Sequence, residues 1–338
     1  MATIRDIAEM AQVSTATVSR ILNNDETLIT SPETKKNVLA AAKKLNYVKK
    51  RKAAAGSAYK ICILQWFSAS KEVEDNYYYL IRNGIEDYCE KKGINVLRAY
   101  KSDMGYTEVL KDADGIICIG KFSKKEIKNL KEINSVIIFL DMPVSDIEIT
   151  SFSLDFEQAV TDGVEYLYGL GHKSAAFLGG TEYLGDGSVF SDKRQTAFIK
   201  ACSERNIAYK CLVVKEEFTV KAGYEMMLKM IKEKDLPTAI FAANDSIAIG
   251  EMKALYENGF EIPGDISVMG FNNTEMSAYT HPSLTTMSAP VYEMGAYGVD
   301  AVSAMLNSKN HKLPYPMRIY LPCRLTERAS CGAPKPGK

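Results

Sequence analysis

Ile4-Arg5-Asp6-Ile7-Ala8 and Val13-Ser14-Thr15-Ala16-Thr17-Val18-Ser19-Arg20-Ile21-Leu22-Asn23 carry short apolar stripes on either side of a tight turn. Ile4, Ile7, Ala8 and Ala11 recur at helical spacing, as do Val18, Ile21 and Leu22, which predicts two helices. Gln12-Val13-Ser14 between them is too short for anything but a turn. Ser14 is suited to cap the second helix by accepting an amide from its first turn. Ala8 and Ala11 are small enough for the two helices to cross closely. Ser31-Pro32 announces a third helix, because proline at the first helical position gives up no hydrogen bond. Its apolar stripe is Val38, Leu39, Ala42 and Leu45. Three such helices bury one small core and leave a face of the second exposed.

That face carries Thr15, Ala16, Ser19 and Arg20. In a helix-turn-helix the second helix enters the major groove with its N-terminal residues against base edges. Arg20 can pair bidentately with guanine, and the methyl of Thr15 or Ala16 can pack on that of thymine. Thr3, Ser14, Thr17, Asn23, Ser31 and Thr34 offer short hydrogen-bonding groups to phosphates. The charge distribution agrees. The formal net charge is zero, yet residues 1–52 hold ten Lys or Arg against five Asp or Glu, an excess that the remainder cancels. One basic end on a neutral chain points to a polyanionic partner for that end. The competing readings are a three-helix bundle used for protein contact and a chance cluster of solvated lysines.

No segment approaches the roughly 18 continuous apolar residues of a membrane span. Met1 leads into charged, periodic sequence rather than an apolar leader, so the expected location is the cytoplasm, with no membrane partner. Cys62, Cys89, Cys118, Cys202, Cys211, Cys323 and Cys331 include no C-x-x-C pair, and His172, His281 and His311 are scattered. Structural thiols are expected, with no metal and no cofactor. No G-x-x-x-x-G-K-[ST] loop occurs, no G-x-G-x-x-G follows a strand, and Gly185-Asp186-Gly187-Ser188 does not fit a G-x-S-x-G elbow, so an enzyme is not expected.

From Tyr59 the pattern changes. Apolar runs at Lys60–Trp66, Asn95–Tyr100, Gly115–Ile119, Ser135–Leu140, Ser174–Gly179, Cys211–Val214, Ala239–Ala243 and Ile266–Gly270 alternate with helix-period stretches such as Tyr78–Lys92, Phe156–Gly169, Lys193–Asn206, Ala222–Lys234 and Ser246–Gly259. Alternation of this length predicts parallel sheets covered by helices, two of them in about 280 residues. Ligands in such folds bind beyond the carboxyl ends of the strands.

The N-terminal run quoted above, with Leu45-Asn46-Tyr47, resembles the headpiece signature of the lactose/galactose repressor family (LacI/GalR), with over a dozen positions in register. Anchors in the second part are similar to the same family: Asn83-Gly84-Ile85-Glu86, Gly169-Leu170-Gly171-His172, Phe177-Leu178-Gly179-Gly180, Ala243-Asn244-Asp245 with Ile249-Gly250, Asp265-Ile266-Ser267-Val268-Met269-Gly270-Phe271, and Pro282-Ser283-Leu284-Thr285-Thr286. The resemblance runs to about Ser330. Asn76 to Glu86 is similar to the galactose and evolved-β-galactosidase repressor subgroup.

The resemblance implies an all-α helix-turn-helix headpiece plus an α/β periplasmic-binding-protein-like core of two doubly wound lobes. It divides the chain into a headpiece at 1–47, a hinge linker at 48–58 and an effector-binding and dimerisation domain at 59–338. The N-lobe is expected at about 59–154 and 289–318, and the C-lobe at about 155–288 and 319–330. The implied function is sequence-specific regulation of transcription, with repression of sugar (galactoside) utilisation genes under a small sugar effector bound between the lobes. Operator double-stranded DNA, galactose or a galactoside, and a second copy of the chain are the implied partners. A secreted sugar-binding protein for a transporter accounts for the second part but not for the headpiece.

The linker's four consecutive basic residues, Lys49-Lys50-Arg51-Lys52, favour phosphates. In the family this stretch pairs with its dimer mate in the minor groove around an inserted leucine. Here Ala53-Ala54-Ala55 occupies the region, so Tyr47, Lys49, Lys50, Arg51, Ala54 and Ala55 are expected to touch DNA without leucine-type kinking. A flexible tether with no DNA role is the alternative. The tail after Arg328 has no leucine heptads, so a dimer is expected rather than a tetramer.

A sugar needs an aromatic platform and several polar groups. Tyr77 and Tyr78 sit at a strand-to-helix loop, Asp141 follows a strand, Phe218 lies in a loop, and Asn244-Asp245 closes another strand. Arg194 matches the family's ligand-contacting arginine, and Asn272 stands where many members carry an aspartate that holds sugar hydroxyls. Other roles are open for several of them: a helix cap for Asn244-Asp245, core packing for Tyr77, Tyr78 and Tyr79, a surface salt bridge for Arg194 and a strand-end cap for Asp141.

Overall fold

The computed structural model describes residues 4–22, 30–45, 59–66, 68, 76–215, 218–234 and 236–335. The chain divides into two compact units, Met1–Gly56 and Ser57–Lys338. In the first, α1 (Ile4–Ala11), α2 (Thr15–Leu22) and α3 (Pro32–Lys44) enclose Ile7, Ala8, Val18, Ile21, Val38, Ala41 and Ala42. Both serines act as caps: the Ser14 hydroxyl accepts the Thr17 amide at 3.1 Å and the Ser31 hydroxyl that of Thr34 at 3.0 Å. Leu39, expected in the α3 stripe, is 47% exposed, and Ala41 takes its place inward. The close approach of α1 and α3 admits the smaller side chain.

The second unit begins with β1 (Lys60–Gln65), α4 (Tyr77–Lys92), β2 (Asn95–Tyr100), α5 (Tyr106–Lys111), β3 (Gly115–Ile119), α6 (Lys124–Ile133), β4 (Ile137–Leu140) and β5 (Thr150–Leu154). It continues with α7 (Phe156–Gly169), β6 (Ser174–Tyr183), β7 (Val189–Phe190), α8 (Lys193–Glu204), β8 (Ala208–Lys215), α9 (Val220–Glu233), β9 (Ala239–Ala242), α10 (Asp245–Glu257), β10 (Ser267–Asn272) and β11 (Thr285–Ser288). It ends with α11 (Val291–Leu306), β12 (Arg318–Leu321) and β13 (Arg324–Thr326).

The N-lobe sheet is parallel, in the order β2-β1-β3-β4-β5-β12. Its β1 buries both faces: Ile61 and Ile63 join one apolar cluster, Cys62 and Leu64 another. That explains why β1 reads as an apolar run rather than an alternation. The C-lobe repeats the plan as β8-β6-β9-β10-β11, with β13 added antiparallel at the edge. Both orders have the doubly wound switch point, where neighbouring connections leave in opposite directions.

The chain crosses between the sheets at Asp155, at Ala289-Pro290 and at Pro322-Cys323. The third crossing lies later than the Arg318 expected from sequence, because Arg318–Leu321 is hydrogen-bonded to β5 and belongs to the N-lobe. β5, β7, β11, β12 and β13 all lie outside the apolar runs that marked the other strands. The tail also carries structure: Ser330 exchanges hydrogen bonds with Val268 of β10, and the Gly332 carbonyl lies 2.9 Å from the His172 ring. Its sequence, polar and rich in small residues, gives no strand signal.

Each lobe packs one helix pair through glycines. A Cβ on Gly84 of α4 would lie 2.1 Å from the Tyr292 carbonyl oxygen of α11, and one on Gly295 would lie 2.3 Å from that of Ile81. In the C-lobe the same relation holds between Gly223 of α9 and Ile247 (2.1 Å), and between Gly250 of α10 and Val220 (2.0 Å). The obstructing atoms are backbone, so relief requires the helices to part.

Asp245, expected to contact an effector, is instead part of the lobe's interior. One carboxylate oxygen accepts the Thr274 amide at 2.6 Å and the other the Thr286 hydroxyl at 2.6 Å, fastening α10 to the ends of β10 and β11. The residue is fully buried and does not line the cleft. Burial raises its pKa to about 6, against the lowering effect of these hydrogen bonds.

Two outcomes are expected. Gly250→Ala should cost about 1–3 kcal/mol by overpacking a backbone contact, measured by chemical denaturation. The Asp245 carboxyl titrates near 3.8 when unfolded and near 6 when folded, so its contribution is complete below pH 4 and is lost as pH rises towards 6. The stability of the parent relative to Asp245→Asn should therefore fall between pH 4 and pH 6 and level off above; a pH-independent difference would refute the assignment.

Candidate functional site

In the first unit, Thr15, Ala16 and Arg20 are exposed on α2, the face expected to meet DNA. Ser14 and Thr17 pair their hydroxyls at 2.8 Å, as do Ser31 and Thr34. Four of the six expected phosphate ligands thus form two pairs at helix starts, where the helix dipole also favours an anion. The side chain of Ser19 lies outside the described residues, as do Thr3, Asn23, Tyr47, Lys49, Lys50, Arg51, Ala54, Ala55 and the whole linker 48–58.

In the second unit a cleft of about 750 Å³ opens between the lobes. Strand carboxyl ends supply its walls. Trp66 follows β1, Lys121 follows β3 and Asp141 follows β4, while Tyr77 and Tyr78 begin α4. Opposite them, Glu182 lies near the end of β6, Phe218 follows β8, Asn244 follows β9, and Asn272 ends β10. The structure therefore brings together every expected effector residue except Asp245.

The N-lobe wall is a closed network. Asp141 holds a left-handed backbone (φ 64°), tolerable for aspartate, and turns its carboxylate inward. Tyr77 donates to it at 2.7 Å, Tyr78 at 3.1 Å, and the Lys121 ammonium forms a buried ion pair with it. Burial, with the adjacent Asp141 charge, pushes the Tyr77 hydroxyl well above its usual range; for Tyr78 burial leads, followed by Glu182 and Asp141. Both phenols stay neutral donors. Tyr77 and Tyr78 are thus core packing and cleft wall at once.

The C-lobe wall is organised by Arg194, at the start of α8. Its guanidinium donates to Asp192 at 2.9 and 3.0 Å and to the Ala243 carbonyl at 2.6 Å, lying within 6 Å of the Phe156, Phe218 and Phe271 ring centroids. Burial works most strongly against its charge, but the Asp192 carboxylate, with Glu182 and Tyr77, holds the pKa above its ordinary value. Asn244 caps α10, accepting the Ile247 amide at 2.9 Å, and donates to the Phe218 carbonyl at 2.9 Å. It positions two cleft elements while lining the cavity.

Two polar groups remain unmatched. Asn272 is 9% exposed with a positive φ of 105°, and its Oδ1 has no hydrogen-bond partner among the described residues. The Glu182 side chain has no hydrogen-bond or ion-pair partner among the described residues. Burial raises its pKa, opposed in part by Lys121 and Arg194. Lys121, Glu182, Trp66 and the cleft-lining Phe190 were missed from sequence. For Trp66, Lys121 and Glu182 the strand-end position was an available signal; for Phe190 there was none. Among the described residues no cluster of three His, Cys, Asp or Glu could hold a metal, and no helix is long and apolar enough to cross a membrane.

Residues 3–50 match the family model of bacterial regulatory proteins, lacI family, and residues 164–331 that of a periplasmic binding protein-like domain. The chain is 34% identical over 313 residues to the HTH-type transcriptional regulator GalR of Streptococcus thermophilus, covering 90% of this chain and 93% of that protein. It is 33% identical over 345 residues to the HTH-type transcriptional repressor MelR of Bacillus subtilis (strain 168), covering 98% of each. The solved lac repressor dimer bound to operator and the anti-inducer ONPF is similar at a TM-score of 0.68 and 27% identity, over 98% of this chain and 99% of that one. The helical headpiece and the two doubly wound lobes are the fold these relatives imply. With this similarity along nearly its whole length, the chain belongs to the LacI family of bacterial transcriptional regulators, which are not enzymes.

Proposed function

We propose that this protein represses sugar utilisation genes, specifically those for galactosides, in the cytoplasm. It acts as a homodimer on operator double-stranded DNA, and galactose or a galactoside bound in the cleft controls it. Residues 1–47 form the reading head, 48–58 the hinge linker and 59–338 the sensor. Thr15, Ala16, Ser19 and Arg20 face bases. Thr3, Ser14, Thr17, Asn23, Ser31 and Thr34 face phosphates, and Tyr47 of the head with Lys49, Lys50, Arg51, Ala54 and Ala55 of the linker also contact the DNA.

The observation that carries the sensor reading is the cleft itself, whose aromatic walls and unmatched Asn272 suit a polyol. Phe218, Tyr77 and Tyr78 supply apolar surface, while Asp141, Arg194, Asn244 and Asn272 frame the polar contacts. The names of the GalR and MelR relatives, and the operator and anti-inducer in the lac repressor dimer, support this assignment.

A sugar touching both walls draws the lobes together. Closure changes how the N-lobes meet across the dimer, loosens the paired linkers and lowers operator affinity. Linkage makes the effect reciprocal, so operator weakens sugar binding by the same factor.

Titration of the operator complex with galactose and galactosides should lower its affinity; unchanged affinity across the panel refutes the effector assignment. Arg20→Ala should weaken operator binding by about 1–3 kcal/mol with the fold intact. Light scattering should report a dimer, and a tetramer would contradict the dimer assignment.

A further inference from the structure

Glu182 owes its position to a hairpin that spans the cleft. Within β6–β7 it pairs with Phe190. Phe190 leaves the C-lobe to pack against the N-lobe cluster that contains Phe122 and Phe139, with the Lys121 ammonium 5.0 Å from its ring centroid. The turn of the hairpin also meets the N-lobe: a Cβ on Gly185 would lie 2.3 Å from Glu126 and 2.7 Å from Lys101. The hairpin therefore closes one side of the cavity and leaves the Glu182 carboxylate on its wall.

The charges around that carboxylate are unevenly matched. Lys121 is neutralised by Asp141, and Arg194 by Asp192 together with the Ala243 carbonyl. Lys193 stands at the exposed mouth beside Asp192 and Glu157. An anionic ligand would find the inner cations already paired with Asp141 and Asp192, and would meet a Glu182 carboxylate with no ion-pair partner among the described residues. An uncharged polyol brings O–H donors to the Asn272 Oδ1, which has no partner among the described residues, and to the Glu182 carboxylate on the same wall. The cavity of about 750 Å³ has room for about 25 waters at ~30 Å³ each, more than one hexose ring fills.

We propose that the cleft selects uncharged glycosides of two or more linked sugars and rejects phosphorylated or carboxylated ones, with Glu182 as the specificity-determining residue. This rests on the sugar-effector reading above. Glu182 discriminates twice, attracting hydroxyl donors and repelling anions.

Isothermal titration calorimetry on the full-length protein tests this with lactose, its α-linked counterpart melibiose, galactose, and lactose phosphorylated at the galactosyl 6-hydroxyl. A neutral disaccharide should bind about tenfold or more tighter than either galactose or the phosphorylated sugar. Glu182→Gln should weaken disaccharide binding and cut the neutral-to-phosphorylated ratio by about tenfold, and Glu182→Asp should restore much of it. Phosphorylated lactose binding as tightly as the neutral disaccharides, or an unchanged ratio in Glu182→Gln, overturns the proposal and leaves the sugar reading standing. If neutral and phosphorylated sugars alike fail to bind the parent, both fall together.

Discussion

The walls of the cleft depend on two cations matched in place, one buried and one largely so. Lys121 and Arg194 lie where an uncompensated charge would cost several kcal/mol, and Asp141 and Asp192 remove that penalty. Each pair then organises its surroundings. Asp141 collects the hydroxyls of Tyr77 and Tyr78, fixing the start of α4. Arg194 reaches the end of β9 through the Ala243 carbonyl and gathers rings from α7, β10 and the loop after β8. The two inner cations are thereby matched in place, and Asn272 and Glu182 stand out on the walls as polar side chains without hydrogen-bond partners among the described residues.

Why these residues meet is a matter of topology. In a parallel sheet every strand delivers its carboxyl end to the same side, and the chain crosses between lobes three times so that both sheets turn that side to one cleft. Glycines at the α4–α11 and α9–α10 contacts let each lobe close tightly behind its strands. Ligand binding between such lobes acts on three connecting segments together, which suits a regulator whose output is a change of geometry rather than a reaction.

The headpiece follows more local rules. Its caps, Ser14 and Ser31, lie three residues before the amides they accept, so nothing distant is needed to place them. The site in the cleft is different in kind. Lys121 and Asp141 are twenty residues apart, and Asn244 and Asn272 twenty-eight, and only the sheets bring them together. Strand-end positions made Tyr77, Tyr78, Asp141, Phe218 and Asn244 visible, and the family resemblance added Arg194 and Asn272. The strand-end signal that found Asn244 misplaced its neighbour Asp245, whose carboxylate is turned inward to Thr274 and Thr286.

Apolar periodicity determined the helices of the headpiece and most strands of the core, because each answers to residues within one turn or one run. It was silent where a strand is polar yet buried. In β5, Ser151 accepts the Val144 amide and Thr150 that of Met317, partners that exist only once the lobes have formed. Those tertiary contacts also decided the later crossing at Pro322-Cys323 and the place of Glu182, which a hairpin anchored on the opposite lobe holds in the cleft. Local spacing sets what a segment becomes; which charges go unanswered is settled only when distant segments meet.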